Sequence, residues 1–366
     1  MENNQLLIEI LRASLKNEKA GFTDDMDIDW QQVLESANSH QITSLVYNSI
    51  DRDYFEKIDK KIINDWKSNV IKLNMLQIYK VSRFYKILSD LNKLNIEVIA
   101  LKGIVIRNYY PRPELRTMGD LDILVHKDDY CTVKEYLLKS GFSIANDDHP
   151  IHTEFIDKSG ISVEVHWKLI NNETYAYDTA NFEKNIWCGI EKFKINSTTI
   201  SILGKEDFLL HLCIHMAKHL RGTGFGLRQV YDVAAFCIKE GKNIDWIKFE
   251  EKAIECGALK FSITLFKLIN YIFNLDLYEN IINKNLCVDC DIVTLLDEIL
   301  SYDVFKNGER KICLSKISLK DDKLLSYKKI HNQYTLVKRN ISNIFKDNTT
   351  KEIINRRKIL LKEFNL

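Results

Sequence analysis

Proline is almost absent from this chain, and the few prolines that occur fall together. The 366 residues contain three, Pro111, Pro113 and Pro150, where an average sequence would carry about 5%. Proline lacks a backbone donor and clashes with the preceding helical turn. Its exclusion from both ends of the chain, with only 13 glycines overall, favours long uninterrupted helices there. Apolar spacing agrees. Leu6, Leu7, Ile10 and Leu11 recur at helical intervals, as do Leu73, Leu76, Ile78 and Tyr79 within a segment from about 62 to 94. The helical period returns beyond residue 204, over about 206–220, 227–240, 245–256 and 258–275.

The stretch between reads differently. Glu97 to Leu101 is a short apolar strand, Gly103 to Tyr110 a brief helix, and Pro111 to Gly119 a loop with two prolines and a glycine. Asp120 to Val125 alternates as a strand. Asp128 is placed to cap a helix that runs to about Lys139 and stops at Gly141. His152 to Asp157 and Ile161 to Trp167 form a hairpin about Lys158-Ser159-Gly160, and a second hairpin is expected around Glu191 to Ile202. The expected class is α+β, with a small mixed β-sheet and its helices over 97–203. Helical regions flank it over 1–96 and 204–366.

Composition narrows the function classes. Hydrophobic residues make up 45% and charged residues 28%, enough to bury a sizeable core. Fifty-two basic against 51 acidic residues leave a net charge of +1, which excludes a protein held to nucleic acid by bulk charge. No apolar run reaches the ~20 residues of a membrane span. The segment Met1 to Lys16 lacks the basic-then-apolar order of a secretory signal, so a cytoplasmic location is expected. Eight scattered cysteines are then reduced thiols. Cys287 and Cys290 form one C-x-x-C without a second pair, which favours two buried thiols at a helix end over zinc. Residues 315–366 hold 13 basic residues against 5 acidic ones, an excess of 8; a solvated helical face is favoured over a polyanion contact.

The unusual chemistry lies in the centre. Asp120 and Asp122 stand two apart on an expected strand, so both carboxylates share one face while Leu121 and Ile123 take the other. Two acids side by side repel, and burying them costs several kcal/mol without a compensating cation. Glu164, in Ser162-Val163-Glu164-Val165-His166, lies opposite Val163 and Val165, and a neighbouring strand would bring it beside the aspartates. Three such acids suit divalent magnesium, with manganese as the alternative. His166 is then a hydrogen-bonding support rather than a ligand. Upstream, Leu101-Lys102-Gly103 ends a strand and opens a helix, a turn that directs N–H groups and the Lys102 charge at phosphate. His211, His215 and His219 share one helical face, but Leu212 stands where H-E-x-x-H carries its glutamate, so zinc is not favoured there.

In this order, Leu101-Lys102-Gly103, a helix ending in Tyr109-Tyr110, and Arg116-x-Met118-Gly119-Asp120-Leu121-Asp122-Ile123-Leu124-Val125, the sequence resembles the polymerase-beta-type nucleotidyltransferases. It is more narrowly similar to a bacterial branch of largely uncharacterised members. The resemblance covers about 97–168 specifically. It extends more weakly over 204–236, through Leu209-x-x-Leu212-x-x-His215-x-x-Lys218-His219 and Leu227-Arg228-x-x-x-Asp232. It departs from the superfamily's general pattern in placing Ile104 after Gly103, as the branch does.

The resemblance implies a nucleotidyltransferase-type sheet and transfer of a nucleoside monophosphate from an NTP, foremost ATP, to an unidentified and preferably small acceptor, releasing pyrophosphate. It implies Asp120, Asp122 and Glu164 as the catalytic, metal-binding triad. Nucleotide binding falls to Lys102, Gly103, Arg116, Lys218, His219, Arg228 and Asp232. The alternatives are a protein or tRNA acceptor, which the basic C-terminus alone favours, and a non-catalytic nucleotide-binding protein on the same fold.

Overall fold

The computed structural model describes residues 3–22, 26–170, 179–195, 198–221, 224–275, 292–301 and 348–364. Cys287, Cys290 and most of the basic C-terminal segment lie outside these. The molecule is a mixed α+β fold: one seven-stranded sheet with helices before, between and after its strands.

The N-terminal region is helical, as the scarcity of proline favours: α1 (Asn3–Leu15), α2 (Trp30–Ser39), α3 (Thr43–Ser49) and the 34-residue α4 (Lys60–Lys93). The Asp59 side chain accepts from the Lys61 and Ile62 amides and caps α4. Leu6, Leu7, Ile10 and Leu11 are buried, as their spacing predicts. On α4 the spacing marks the helix but not its inner face. Trp66, Val70, Gln77, Phe84, Ile87 and Leu91 point inward, whereas Leu76, Ile78 and Tyr79 are exposed. A long helix with apolar residues on two sides cannot declare its buried stripe by periodicity alone.

The sheet runs β1 (Val98–Ala100), β2 (Leu121–Val125), β3 (Phe142–Asn146), β4 (His152–Asp157), β5 (Ser162–His166), β6 (Glu191–Ile195) and β7 (Thr198–Ile202), in the spatial order β3-β4-β5-β2-β1-β7-β6. The β2–β5 and β1–β7 pairs are parallel and the rest antiparallel. β2 is buried along its whole length, as a central strand must be when covered on both faces. The β4–β5 turn works as the sequence expects. Asp157 Oδ1 accepts from the Ser159 and Ile161 amides at 2.8 and 3.1 Å, and Gly160 takes φ +80°.

One strand was missed in this region and one expectation fails. The strand β3 directly follows Gly141; its exposed positions make it a weakly patterned edge strand. Asp128 does not cap α6 (Tyr130–Lys139), because it sits inside a 3-10 turn spanning Lys127–Asp129.

Short helices α5 (Gly103–Ile106) and α7 (Ala180–Asn185) connect strands. The C-terminal helices are α8 (Lys205–Arg221), α9 (Leu227–Glu240), α10 (Trp246–Glu255), α11 (Leu259–Phe273), α12 (Ile292–Leu300) and α13 (Asn348–Phe364). One continuous buried cluster runs from Leu6 to Phe364 and joins both helical regions to the sheet. Arg357 of α13 is buried against Glu298, so part of the C-terminal basic excess serves internal packing. No helix among the described residues is long and apolar enough to cross a membrane.

Candidate active site

The parallel pairing of β2 with β5 sets Asp122 opposite Glu164 in register. Alternation explains why. Leu121, Ile123, Val163 and Val165 are fully buried on the other face, and a one-residue slip would exchange them for the acids. Asp120 does not lie on the strand as expected. It occupies the bend before Leu121, exposed at the strand entrance, whereas Asp122 is only 8% exposed.

Lys102 enters from the end of β1. Its Nζ lies 2.7 Å from Asp122 Oδ1, with both side chains nearly buried. It stands at φ +44°, ψ −112°, a conformation that costs a non-glycine residue about 1–3 kcal/mol. His166 Nε2 lies 3.3 Å from Asp122 Oδ1 and 3.1 Å from Glu164 Oε2. Burial disfavours the Asp122 anion, but the Lys102 ammonium and His166 outweigh it and hold the carboxyl well below the usual range. Lys102 is likewise opposed by burial and raised by Asp122 and Glu164. Asp120, by contrast, is pushed up to about 6 by partial desolvation and by the charges of Glu164 and Asp122. Lys102 is bonded to one of the three carboxylates, while Lys80 acts on Asp120 and Lys218 on Glu164 and Asp122 through space only. This cluster of hard oxygen donors fits a divalent cation held by Asp120, Asp122 and Glu164.

A cavity of about 380 Å³ opens over these groups, and all ten sequence-nominated residues line it. Their engagements differ. Arg116 is buried and grips Asp232 of α9 with two hydrogen bonds of 2.8 Å, while Tyr110 donates to the same carboxylate at 2.7 Å. Gly103 accommodates this arrangement, because a Cβ there would lie 2.9 Å from the Arg116 guanidinium. Arg228 donates to the Thr117 carbonyl at 2.7 Å. Lys218 lies 3.4 Å from His149 Nε2, and His219 Nε2 lies 2.8 Å from His215 Nε2. Burial, reinforced by the Lys102 charge, lowers the Lys218 ammonium and pushes His219 down to about 3.

The loop Arg116–Gly119 feeds Asp120 into place and is held from two sides. Besides Arg116 and Arg228 toward α9, Gln77 of α4 makes paired bonds with the Met118 backbone at 3.0 and 3.4 Å. Lys80 of α4 donates to the Met118 and Gly119 carbonyls at 3.2 and 2.6 Å. Sequence reasoning missed Gln77 and Lys80. The available signal was Gln77 itself, a polar residue in the buried row of α4, readable only once that row is known.

Six histidines line the cavity: His149, His152, His166, His211, His215 and His219. His149 and His152 escaped the sequence reading. Burial pushes His149 down to about 4 with help from Lys218, and His152 down to about 2 with help from His166. Among the described residues, the group whose ligand atoms all lie within 4.8 Å of one another is His152, Glu164 and His166; Asp120 and Asp122 are not members of it.

Solved structures with similarity include an antigenic nucleotidyltransferase-like protein from Paracoccidioides brasiliensis, at 16% identity over 44% of this chain and 75% of that one, with TM-score 0.30. The antibiotic-resistance factor ANT(2'')-Ia matches at 11% identity over 50% and 91%, with TM-score 0.36. The lincosamide antibiotic adenylyltransferase LnuA, solved with lincomycin bound, matches at 18% identity over 42% and 92%, with TM-score 0.31. No curated protein matches the chain. The profile of a family described as uncharacterised nucleotidyltransferase matches residues 26–274, well over half of the 366 residues, and the chain belongs to that family.

Proposed function

We propose that the cavity transfers a nucleoside monophosphate from an NTP, foremost ATP, to an oxygen of a small acceptor, releasing pyrophosphate. The observation that carries this reading is the in-register placement of Asp122 and Glu164 on adjacent parallel strands. Asp120 stands at the strand entrance, and the cationic side chains Lys102, Lys218 and Arg228 line the same cavity. Asp120, Asp122 and Glu164 would hold magnesium, or manganese in its place; when bound, it neutralises charge on the transferred phosphoryl group and favours in-line displacement.

The chain's own residues do the rest. Lys102 and Lys218 supply positive charge to the β- and γ-phosphates, with Arg228 adding its field from α9. Glu164 accepts the proton of the acceptor hydroxyl as the oxygen–phosphorus bond forms. The bond from the α-phosphorus to the bridging oxygen breaks, and its electrons leave with pyrophosphate. His166 holds Asp122 and Glu164 in position through Nε2. Arg116 and Asp232 act together, fixing the loop that carries Asp120 to α9, and Gly103 makes room for them.

An acceptor of small size fits a cavity of about 380 Å³ better than a macromolecular one. The polyanion alternative loses support where Arg357 is spent on Glu298. The test is release of pyrophosphate and transfer of α-labelled nucleotide, from each of the four NTPs with magnesium, into a library of small hydroxylated acceptors. Labelled product that disappears in Asp122→Asn supports the reading. Failure of every NTP both to react and to raise the melting temperature with magnesium would sink it.

A further inference from the structure

We propose a second, nitrogen-rich metal site in this cavity, formed by His152, Glu164 and His166 and suited to a transition-metal dication of the zinc type. It shares Glu164 with the carboxylate site proposed above, but needs neither Asp120 nor Asp122.

Three observations carry it. The first is geometric: one ligand atom from each of the three residues lies within 4.8 Å of the others. The arrangement follows from the sheet, since β4 and β5 pair His152 directly with His166 and Glu154 with Glu164. The two imidazole rings are tilted by 44° to each other with centroids 4.6 Å apart. The second is unmet bonding. Nδ1 of His152 and Nδ1 of His166 are buried without a hydrogen-bond partner, in residues 9% and 4% exposed. A buried polar atom left unpaired is costly, and ligation through Nδ1 would remove that cost. The third is donor chemistry. Two imidazoles and one carboxylate match zinc and related ions, whereas magnesium takes oxygen ligands. All three residues line the cavity. A site with three protein ligands keeps a coordination position for a substrate oxygen, unlike a closed structural site.

The nearby His215–His219 pair is the competing location, because its Nε2 atoms lie 2.8 Å apart. It has no carboxylate in an equivalent ligand group among the described residues.

The experiment uses the full-length protein, stripped with chelator and titrated with cobalt(II), with zinc as competitor. We expect cobalt to give visible ligand-field bands that zinc abolishes. His152→Asn and His166→Asn should each weaken binding by at least about 100-fold. Asp120→Asn and the His215→Asn/His219→Asn double variant should leave it within a factor of two or so of wild type. Thermal melting of each apo variant guards against misfolding. Copper(II) on the wild type supplies a second measurement without any variant: its electron paramagnetic resonance should carry coupling to two imidazole nitrogens. Absence of cobalt binding, unchanged affinity in folded His152→Asn, loss of binding in the His215/His219 variant instead, or copper without nitrogen coupling would each overturn the site. Asp120→Asn separates the two proposals. If it keeps nucleotidyl transfer, the carboxylate reading falls; if His152→Asn keeps cobalt affinity, this one falls.

Discussion

Asp122→Asn tests the centre of the reading most severely, because stability and activity should respond to it separately. In the metal-free protein Asp122 is the partner of a nearly buried lysine at 2.7 Å, with side chains 12% and 9% exposed. Replacing the carboxylate by a neutral amide keeps the shape and strands the Lys102 ammonium. Breaking a buried pair by removing one partner costs about 3–5 kcal/mol. Glu164 and Asp120 still face Lys102, which points to the lower end, about 3 kcal/mol. Unfolding entropy near 2.1 cal/mol/K per residue over 366 residues gives roughly 0.8 kcal/mol/K, so the melting temperature should fall by about 4 °C. The carboxyl binds protons less readily folded than unfolded, so this contribution is complete above the ordinary carboxylate range near pH 4 and fades below it.

The double variant Lys102→Met/Asp122→Asn removes both charges and should recover most of the lost stability. Neither variant should transfer nucleotide, with kcat/KM down on the order of 10³-fold or more. Differential scanning calorimetry of the apo proteins at pH 7.5, alongside the transfer assay, reads both effects. Near-wild-type kcat/KM in pure Asp122→Asn would refute the metal-ligand role. A double variant no more stable than the single one would refute the ion-pair account.

Other expectations follow from neighbouring geometry. Asp232→Ala should destabilise the fold by about 3–5 kcal/mol, because it leaves Arg116 buried and unpaired; Tm within a degree of wild type would contradict this. Gln77→Ala and Lys80→Met loosen the loop before Asp120, so kcat should fall about 10- to 100-fold with KM for the NTP little changed; a pure KM effect would instead make Lys80 a phosphate ligand. His211 is pushed down to about 3 by burial and then by the Lys102 charge. The unfolded chain therefore binds one more proton than the folded one between about pH 6.5 and that value, and His211→Leu should flatten the acid limb of a urea-denaturation series by up to about 1.4 kcal/mol per pH unit. An unchanged limb would mean that His211 is protonated in the fold.

Much of this protein was written in local sequence, for local reasons. Scarcity of proline, with 3.6-residue periodicity, located the helices at both ends. Alternation in Leu121–Val125 and Ser162–His166, with the Asp157 to Gly160 turn between β4 and β5, fixed which side chains share the acidic face, because strand geometry leaves only two choices. What required the tertiary structure was every decision made between distant segments. The inner face of α4 includes Gln77, which meets Met118 41 positions later. Arg116 and Asp232, nominated for nucleotide, lie 116 positions apart and find each other, since a buried guanidinium must pair. Lys102 bonds Asp122 across the β1–β2 pair. His152 joins His166 only through the β4–β5 register. Periodicity reports how a residue relates to its own element; which charge answers which, and where histidines converge, depends on how the sheet and helices pack.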